Sequence, residues 1–372
     1  MILLTPSQKL FTLINVIVLL ITCIFNFVMS PLVLCLLDGN CAGVTFTSLQ
    51  GMYSRMIAVA CFLSLSKLLC KYSTMMPVFD KNIEAYEVYS PTTNTEHRNH
   101  SLFFLFLAVL NMSVILPINV LRLILMYRSD SGSLILVFFV FMYLENIIMC
   151  VIETYFIVMC HKLDHKFFKI NRDLERLGWE IVKPSMSIFE NTVAVGHRVV
   201  YHGDFYGPND YSIANAMEII RIRHRLIRDA VYLLIDLFGI PMGLSLFTLC
   251  VMTLFDIYYQ VFNVMGSSSR PLIFIYMWLL QYSIRFYTIV VAADNTTKQA
   301  LKSKILITDI NNRYLDNNTK EELQLFLNQI SSCSIEFTAC DFFTLNTHLI
   351  TSAIAAGTTY LVILLQFNSS KD

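Results

Sequence analysis

The sequence predicts an all-α integral membrane protein with seven transmembrane helices, a cytoplasmic N-terminus, an extracellular C-terminus and a cytoplasmic helical anchor. Hydrophobic residues make up 56% of the chain and charged residues 15%, whereas soluble domains have roughly 45–50% and about 25%. Seven apolar runs each approach or exceed the ~20 residues that cross a bilayer. None alternates as a barrel strand does, so all seven are predicted as helices, whose backbone groups pair internally.

The seven runs are justified by length and composition. The first, 10–37, is too long for the hydrophobic region of a signal peptide and is interpreted as a true span. The second, 44–70, is diluted by polar residues near its start. The others are 101–127, 134–160, 229–262, 271–293 and 343–367. Helices 1–4 therefore occupy 10–160, helices 5 and 6 occupy 229–293, and helix 7 occupies 343–367.

Lys and Arg residues predict the orientation, because cytoplasmic loops are enriched in them. With the N-terminus 1–9 inside, the outer segments contain only Arg128, Arg270 and Lys371. Seven spans then place the tail 368–372 outside. G-protein-coupled receptors have the opposite orientation, and the chain has neither a DRY-type triplet after the third span nor an NPxxY motif in the seventh.

The two long inner segments, 161–228 and 294–342, are expected to carry cytoplasmic helices. Residues 211–230 have helical apolar spacing and are expected to continue into helix 5. A second helix is expected from about residue 318, where acidic residues follow a capping residue, with Leu323, Phe326 and Ile330 on its packing stripe. Residues 78–100 are expected to form a flexible loop.

Several functional classes are disfavoured by the sequence. Lys+Arg and Asp+Glu balance at 27 each, which gives no indication of a nucleic-acid partner. The ten cysteines include no CxxC pair and are interpreted mainly as small buried hydrophobes. No catalytic constellation, cofactor motif or metal site is expected. His161 and His165 share a helix face, and a basic segment at the membrane surface explains them better than a metal does.

Ionisable residues inside spans are expensive and are therefore candidates for function. Several lie in the predicted outer half of helices 2–6 among aromatic and amide side chains, the composition of a small-molecule pocket. The alternative interpretation is an aromatic belt with structural ion pairs. The candidate ligand-binding residues are Arg55, Arg122, Tyr143, Glu145, Asp256, Tyr259, Trp278, Gln281 and Tyr282.

The segment TTYLVILLQF, 358–367, ends the last span on an amide and an aromatic ring. Residues seven apart nearly share a helix face, so Thr359 aligns with Gln366 and Tyr360 with Phe367. Ile363 lies in the apolar stretch between the two pairs. Polar side chains aligned in this way are unfavourable on a helix surrounded by lipid. They are expected on a helix that lines an interface or a pore.

The pattern Thr-Tyr, five apolar residues, Gln-Phe at the end of a seven-span chain with its N-terminus inside resembles the insect gustatory receptor family. The likeness extends through FLNQISSCSIEFTACDFFTLN, 326–346, and HRLIRDAVYLLIDLFGIPM, 224–242. The resemblance implies a tetrameric, nonselective cation channel in the plasma membrane of gustatory neuron dendrites, opened by a small-molecule tastant that enters from outside among helices 2–6. It also implies an anchor formed by 211–228, 297–345 and the inner end of helix 4.

Residue roles follow from the same resemblance. Gln366 and Phe367 correspond to the pore gate, and Thr359, Tyr360 and Ile363 to the supporting pore-helix motif. The short N-terminus and the predominance of aromatic side chains in the outer half favour a bitter-type or other non-sugar ligand. A sugar receptor of the same mechanism is the alternative.

Two further alternatives remain open. One is a polytopic transporter that uses Arg122, Glu145 and Asp256 as coupling charges, which would favour an inverted repeat. The other is a subunit that requires a co-receptor, in a heterotetramer with other gustatory receptors instead of a homotetramer.

Overall fold

The computed structural model describes residues 6–38, 49–91, 93–128, 132–190, 213–265, 272–310, 315, 317–333, 335–339 and 342–369. Nearly all of them are helical. The helices are α1 (Pro6–Asp38), α2 (Leu49–Tyr89), α3 (Asn94–Arg128), α4 (Ser133–Glu190), α5 (Ile213–Met265), α6 (Leu272–Thr308), α7 (Asn317–Ser332) and α8 (Thr347–Ser369). A two-residue antiparallel hairpin, β1 (Thr338–Ala339) and β2 (Phe343–Thr344), precedes α8.

The first six helices form a membrane-spanning bundle. Each contains an apolar segment long enough to cross a bilayer, and α8 adds a shorter apolar segment over Thr347–Ile363 in the described residues. Helix α2 lies against α5, and α4 lies against α1, α3, α5 and α6. Buried Phe138, Phe156 and Phe238 fill the interior, while α1 and α3 turn many large apolar side chains outward, as helices that face lipid do. The predicted all-α fold is confirmed.

Two helices are much longer than the membrane is thick. α4 has 58 residues and α5 has 53, which correspond to ~87 Å and ~80 Å at 1.5 Å per residue, against about 30 Å of hydrocarbon. Their surplus turns pack with the end of α6 and with α7 to form a helical anchor beyond the bundle. The predicted continuation of 211–230 into helix 5 is therefore confirmed from Ile213 onward, and residues 211 and 212 lie outside the described residues.

Helix α2 also continues past its apolar span, to Tyr89, and α3 begins at Asn94. The prediction of a flexible loop over 78–100 is therefore wrong. Phe79, Ile83 and Tyr86 are buried at helical spacing, and this stripe holds the polar end of α2 against the anchor. Hydropathy alone misses it because the exposed side of the same turns is charged.

Ion pairs and amide contacts tie the anchor together. Arg223 on α5 donates to Asp173 on α4 at 2.6 Å and to the Tyr86 hydroxyl at 3.1 Å. Asn171 on α4 donates to the backbone carbonyl of Gln299 at 2.8 Å and accepts from Ser303 at 2.5 Å. Such polar groups, most of them buried, lie on four helices and fix one relative arrangement, because any other leaves them unsatisfied.

Helix α7 is the amphipathic helix predicted in the second inner segment. Leu323, Phe326 and Ile330 are buried, as the stripe predicts. Arg221 on α5 pairs with Glu322 at 3.0 Å. His224 on α5 is 1% exposed and lies between the rings of Phe167 and Phe326, with centroid distances of 5.5 and 5.4 Å. Burial, with a smaller contribution from Arg228, lowers the pKa of His224 to about 3.

Helix α8 starts at Thr347, four residues later than the run predicted from hydropathy. Residues 343–344 pair in the hairpin instead. The Asn346 side chain accepts a hydrogen bond from the Leu349 amide at 3.2 Å, so Asn346 caps the helix. This places the apolar segment of α8 at a defined height beside α5 and α6, the helices that it contacts.

Candidate pore and ligand sites

Helix α8 has two distinct faces. One face lies against α5 and α6 and is half-buried. Leu349 and Ile350 pack against the core on this face, and Ala353, Gly357 and Leu361 continue it as half-buried positions. The opposite face is exposed and combines polar with small side chains. It consists of His348, Ser352, Ala355, Thr359 and Gln366. These positions recur at intervals of three, four and seven residues and form one stripe along the helix, here called the α8 stripe.

The residues of the terminal motif all lie on α8. Thr359 is exposed, and its hydroxyl donates to the Ala355 carbonyl of the same helix at 2.9 Å. Tyr360, Ile363 and Gln366 are exposed. The backbone of Phe367 is helical, and its side chain lies outside the described part of the structure. Four of the five motif side chains therefore point away from the rest of the subunit.

Four of the predicted ligand-binding residues lie together on α3, α4, α5 and α6. The Arg122 guanidinium sits 4.6 Å from the Trp278 ring centroid and 5.0 Å from that of Phe139, both cation–π distances. Tyr143 and Asp256 are within electrostatic reach of the same guanidinium. The Trp278 indole donates to Asn119 at 3.4 Å. This group, Asn119, Arg122, Tyr143, Asp256 and Trp278, is called the outer cluster.

The outer cluster contains hydrogen-bonding capacity that the described residues do not use. Buried atoms there without a partner among the described residues are Asn119 Nδ2 and Asp256 Oδ2. Gln281, one turn from Trp278 on α6, is buried, and both its amide atoms lack a partner within the described part of the chain. Leaving such a group unpaired costs roughly 1–3 kcal/mol. Several of them therefore lie at one place without a hydrogen-bond partner among the described residues.

The structure places other predicted residues elsewhere. Arg55 lies at the contact between α1 and α2, with its guanidinium 5.7 Å from the Phe27 ring centroid. Glu145 accepts a hydrogen bond from Asn26 of α1 at 2.8 Å, on the side of α4 away from Tyr143. Tyr282 is buried next to Arg285. The Tyr259 side chain lies outside the described residues.

A buried ion pair at the centre of the bundle was not predicted as part of the site. Arg285 on α6 donates to both carboxylate oxygens of Glu153 on α4, each at 2.7 Å, and to the Asn146 amide oxygen at 2.6 Å. Ser245 on α5 also donates to Glu153. We call these four residues the central network. The sequence shows that Arg285 and Glu153 are opposite charges inside predicted spans. It does not show that they pair, because the pairing depends on how each helix is rotated about its axis.

Among the described residues, no group of three or more His, Cys, Asp or Glu side chains is placed to hold a metal ion. His161 packs on the Phe103 ring at a centroid distance of 4.3 Å. His165 Nε2 lies 3.7 Å from Glu96 and the ring stacks on Phe168. Both histidines therefore contact aromatic rings at the start of the anchor.

A family model described as 7tm chemosensory receptor matches residues 4–371 of the chain. The chain belongs to the 7tm chemosensory receptor family. Part of this 7tm chemosensory receptor is also similar to the Drosophila melanogaster protein named "Putative gustatory receptor 28b", with 31% identity over 124 residues. That alignment covers 31% of this chain and 26% of the relative.

Solved structures with the same fold are insect olfactory receptors. OR5 from Machilis hrabei gives a TM-score of 0.62 at 12% identity, covering 94% of this chain and 88% of that chain. OR5 in complex with eugenol gives a TM-score of 0.57 at 13% identity, covering 93% and 88%. The resemblance to insect chemoreceptors is confirmed. The receptor is a multi-pass membrane protein, and its family is one of chemoreceptors and not of enzymes.

Proposed function

We propose that the protein is a gustatory receptor that acts as a ligand-gated, nonselective cation channel. A small organic tastant of non-sugar type binds in the outer half of the bundle and opens it. Four subunits, identical or mixed with other gustatory receptors, surround one pore in the plasma membrane of a gustatory neuron dendrite. Permeating cations and the tastant are then the partners of the chain, together with lipid.

The observation that carries the channel proposal is the α8 stripe. Against lipid, His348, Ser352, Thr359 and Gln366 would lose hydrogen bonds to water without gaining others. Around a shared axis, four copies of the stripe line a path that water and ions can wet. Gln366 and Phe367 then lie at the outer end of that path. Four Phe rings close a pore by excluding water, and the amides stabilise open or closed arrangements by hydrogen bonding.

The outer cluster supports the ligand half of the proposal. Its aromatic rings supply contact area, and its unpartnered polar atoms supply orientation, as small-molecule sites do. Aromatic side chains predominate over amides in the outer half of the bundle as a whole, which favours a non-sugar ligand over a polyol. The insect olfactory receptor of similar fold solved with eugenol supports a small organic molecule as the ligand class.

A direct connection joins ligand site and pore. Asp256 and Trp278 of the outer cluster belong to α5 and α6, and both helices contact α8. A ligand that changes the spacing of α5 and α6 therefore moves the half-buried face of α8. The transporter alternative is weakened because Glu145 bonds to α1 and lies apart from Arg122 and Asp256, so its three coupling charges do not form one set.

The proposal is tested by recording current from electrically quiet cells that express the receptor during exposure to a panel of tastants. A tastant should evoke current at constant voltage, and Phe367→Ala should make the current constitutive or abolish it. Thr359→Cys on the α8 stripe should allow a water-soluble thiol reagent to reduce the current. Leu361→Cys, on the packed face, is the matched control and should not respond.

Uptake of the tastant without any current would overturn the channel proposal. Current that appears only when a second gustatory receptor is expressed would assign the chain to a heteromer. A response confined to sugars would replace the non-sugar ligand class.

A further inference from the structure

A cleft runs between α2, α3 and α4, with Phe238 of α5 in its wall, and is here called the lipid cleft. It consists of two cavities that share Phe104 in their walls. The upper has a volume of about 280 Å³ and the lower about 1070 Å³. The cleft lies apart from the outer cluster and from the pore stripe, and neither proposed role uses it.

The upper part of the lipid cleft is apolar and open to the bilayer. Ala108, Met112 and Val151 line it, and Phe104 and Val151 are exposed. On α4 the apolar wall continues from Val151 to Met159, a rise of about 12 Å, which fits within one leaflet of about 15 Å, half of the hydrocarbon thickness. The polar atoms of Tyr72 and Tyr155 face each other at 3.5 Å. An acyl chain fits this wall.

The lower part of the lipid cleft is charged on both sides. Lys162, Lys166 and Lys169 line it from α4, and Asp80, Lys81, Glu84 and Glu87 line it from α2. The charged wall begins one helical turn beyond Met159, which is where the headgroups of a bilayer lie next to the hydrocarbon. The cleft therefore changes from apolar to charged at the depth at which a phospholipid does.

Some of these charges are already neutralised. Lys166 pairs with Glu87 at 3.0 Å and Lys169 with Glu96 at 2.5 Å. Lys81, Lys162, Asp80 and Glu84 form no ion pair within the described residues. Two positive and two negative side chains thus remain available. This balance disfavours a polyanion and fits a headgroup that carries charges of both signs.

We propose that the lipid cleft binds a phospholipid whose headgroup carries a primary ammonium group, such as phosphatidylethanolamine. Lys162 contacts the phosphate, Asp80 and Glu84 accept hydrogen bonds from the ammonium, and an acyl chain lies along Ala108, Met112 and Val151. Charge-assisted hydrogen bonds of this kind require N–H donors, so a choline headgroup, which has none, is bound more weakly.

The full-length receptor in nanodiscs of equal parts phosphatidylethanolamine, phosphatidylcholine and phosphatidylinositol tests this binding. After extraction into detergent, mass spectrometry measures the retained lipids for each variant. Phosphatidylethanolamine should be enriched over phosphatidylcholine about fivefold. Lys162→Gln should lower total retained phospholipid severalfold. Glu84→Gln combined with Asp80→Asn should instead bring the ethanolamine-to-choline ratio close to one.

Two further variants separate binding from folding. Ala108→Trp fills the apolar part without changing any charge and should also lower retention severalfold. Lys304→Gln, an exposed lysine on the cytoplasmic end of α6, should leave retention unchanged. Equal retention of the ethanolamine and choline lipids, or preference for the inositol lipid, would overturn the headgroup assignment. Unchanged retention in Ala108→Trp would overturn the site, and displacement by soluble phosphoethanolamine would overturn the assignment to a lipid.

Discussion

Gln281 is a side chain whose surroundings in one subunit do not explain it. It is buried in the bundle, yet neither its amide oxygen nor its nitrogen has a partner among the described residues. Since an unpaired buried amide destabilises the fold by roughly 1–3 kcal/mol, an apolar residue of similar size would be better for stability alone. The amide is consistent with a group retained for a ligand.

The variant Gln281→Leu should therefore keep or raise the melting temperature of the purified receptor and lower its tastant sensitivity about tenfold, the effect of losing roughly 1.4 kcal/mol of binding. Thermal unfolding in detergent and dose–response curves measure the two quantities. Gln324→Leu, at an exposed position of α7, serves as the control. A lower melting temperature with unchanged sensitivity would show a structural role instead.

The central network illustrates the opposite situation, in which every charged group is matched. Arg285 is 3% exposed and Glu153 is 1% exposed, and the two form a bidentate pair. Removing one partner from such a pair leaves an uncompensated charge, which costs about 3–5 kcal/mol.

Glu153→Leu and Arg285→Met should each destabilise the receptor by about 3–5 kcal/mol, while the double variant should be more stable than either single one. The exposed pair of Lys71 and Asp236, at 2.8 Å, provides a control, since Lys71→Met should cost only about 0–1 kcal/mol. Unfolding free energies in detergent give the comparison. Additive single effects in the double variant would show that the two charges do not stabilise each other.

At the scale of elements, helix positions were predictable and helix rotations were not. Long apolar runs identify spans because the bilayer imposes their length. The orientation of one helix about its axis depends on its neighbours, which the sequence does not name. Tyr143 and Glu145 illustrate this: they are two residues apart on α4 and appeared equally suited to one pocket, yet one faces Arg122 on α3 and the other faces Asn26 on α1.

Helical segments that carry charged residues were predictable where their apolar stripe was clear. The stripe on α7 was recognised from Leu323, Phe326 and Ile330. The similar stripe of Phe79, Ile83 and Tyr86 on α2 was hidden among Asp80, Lys81 and Glu84. The ion pair between Glu153 and Arg285 was beyond prediction for a different reason, because it joins residues 132 positions apart.

His224 on α5 contacts both α4 and α7, and its burial predicts how the stability of the anchor depends on pH. Its pKa of about 3 in the folded anchor lies below the usual value near 6.5. The unfolded chain therefore binds the additional proton, and stability is present above pH 6.5 and lost as the pH falls toward 3. Between pH 7 and pH 5 the loss from this residue amounts to about 2 kcal/mol.

His224→Phe should remove that contribution, because a third ring can occupy the space between Phe167 and Phe326 without titrating. Chemical unfolding in detergent at pH 7 and pH 5 compares the variant with the natural receptor. His348→Asn, at an exposed position of α8, should retain the full pH dependence. An identical pH dependence in His224→Phe would show that this histidine is not buried as a neutral ring.

At the scale of the whole molecule, the anchor exposes several large apolar side chains. Leu301 and Ile305, four residues apart on α6, are exposed, as is Leu325 on α7, and Phe342 in the hairpin is 86% exposed. Large apolar side chains left exposed on a subunit indicate a surface for another chain. This surface supports the proposed tetramer independently of the α8 stripe.

Leu301→Glu combined with Ile305→Glu should convert the purified receptor from tetramers to monomers, because two charges would be buried without partners at the subunit contact. Light scattering after gel filtration measures the mass of the particle. Lys304→Glu lies on the same turn of α6 and is the matched control, which should remain tetrameric. A monomeric natural receptor would contradict the proposed tetramer, and a double variant that remains tetrameric would place the subunit contact elsewhere.

Helix α5 runs without interruption from the anchor residue His224 to Asp256 of the outer cluster. The number of residues between them therefore fixes the distance between the anchor and the outer cluster. One inserted residue would turn everything beyond it by about 100° and shift it by about 1.5 Å. Proteins of this fold can share as little as 12% identity with the chain. We expect such relatives to conserve the length of this segment more strictly than its amino acids. Insertions and deletions should therefore occur elsewhere in their sequences.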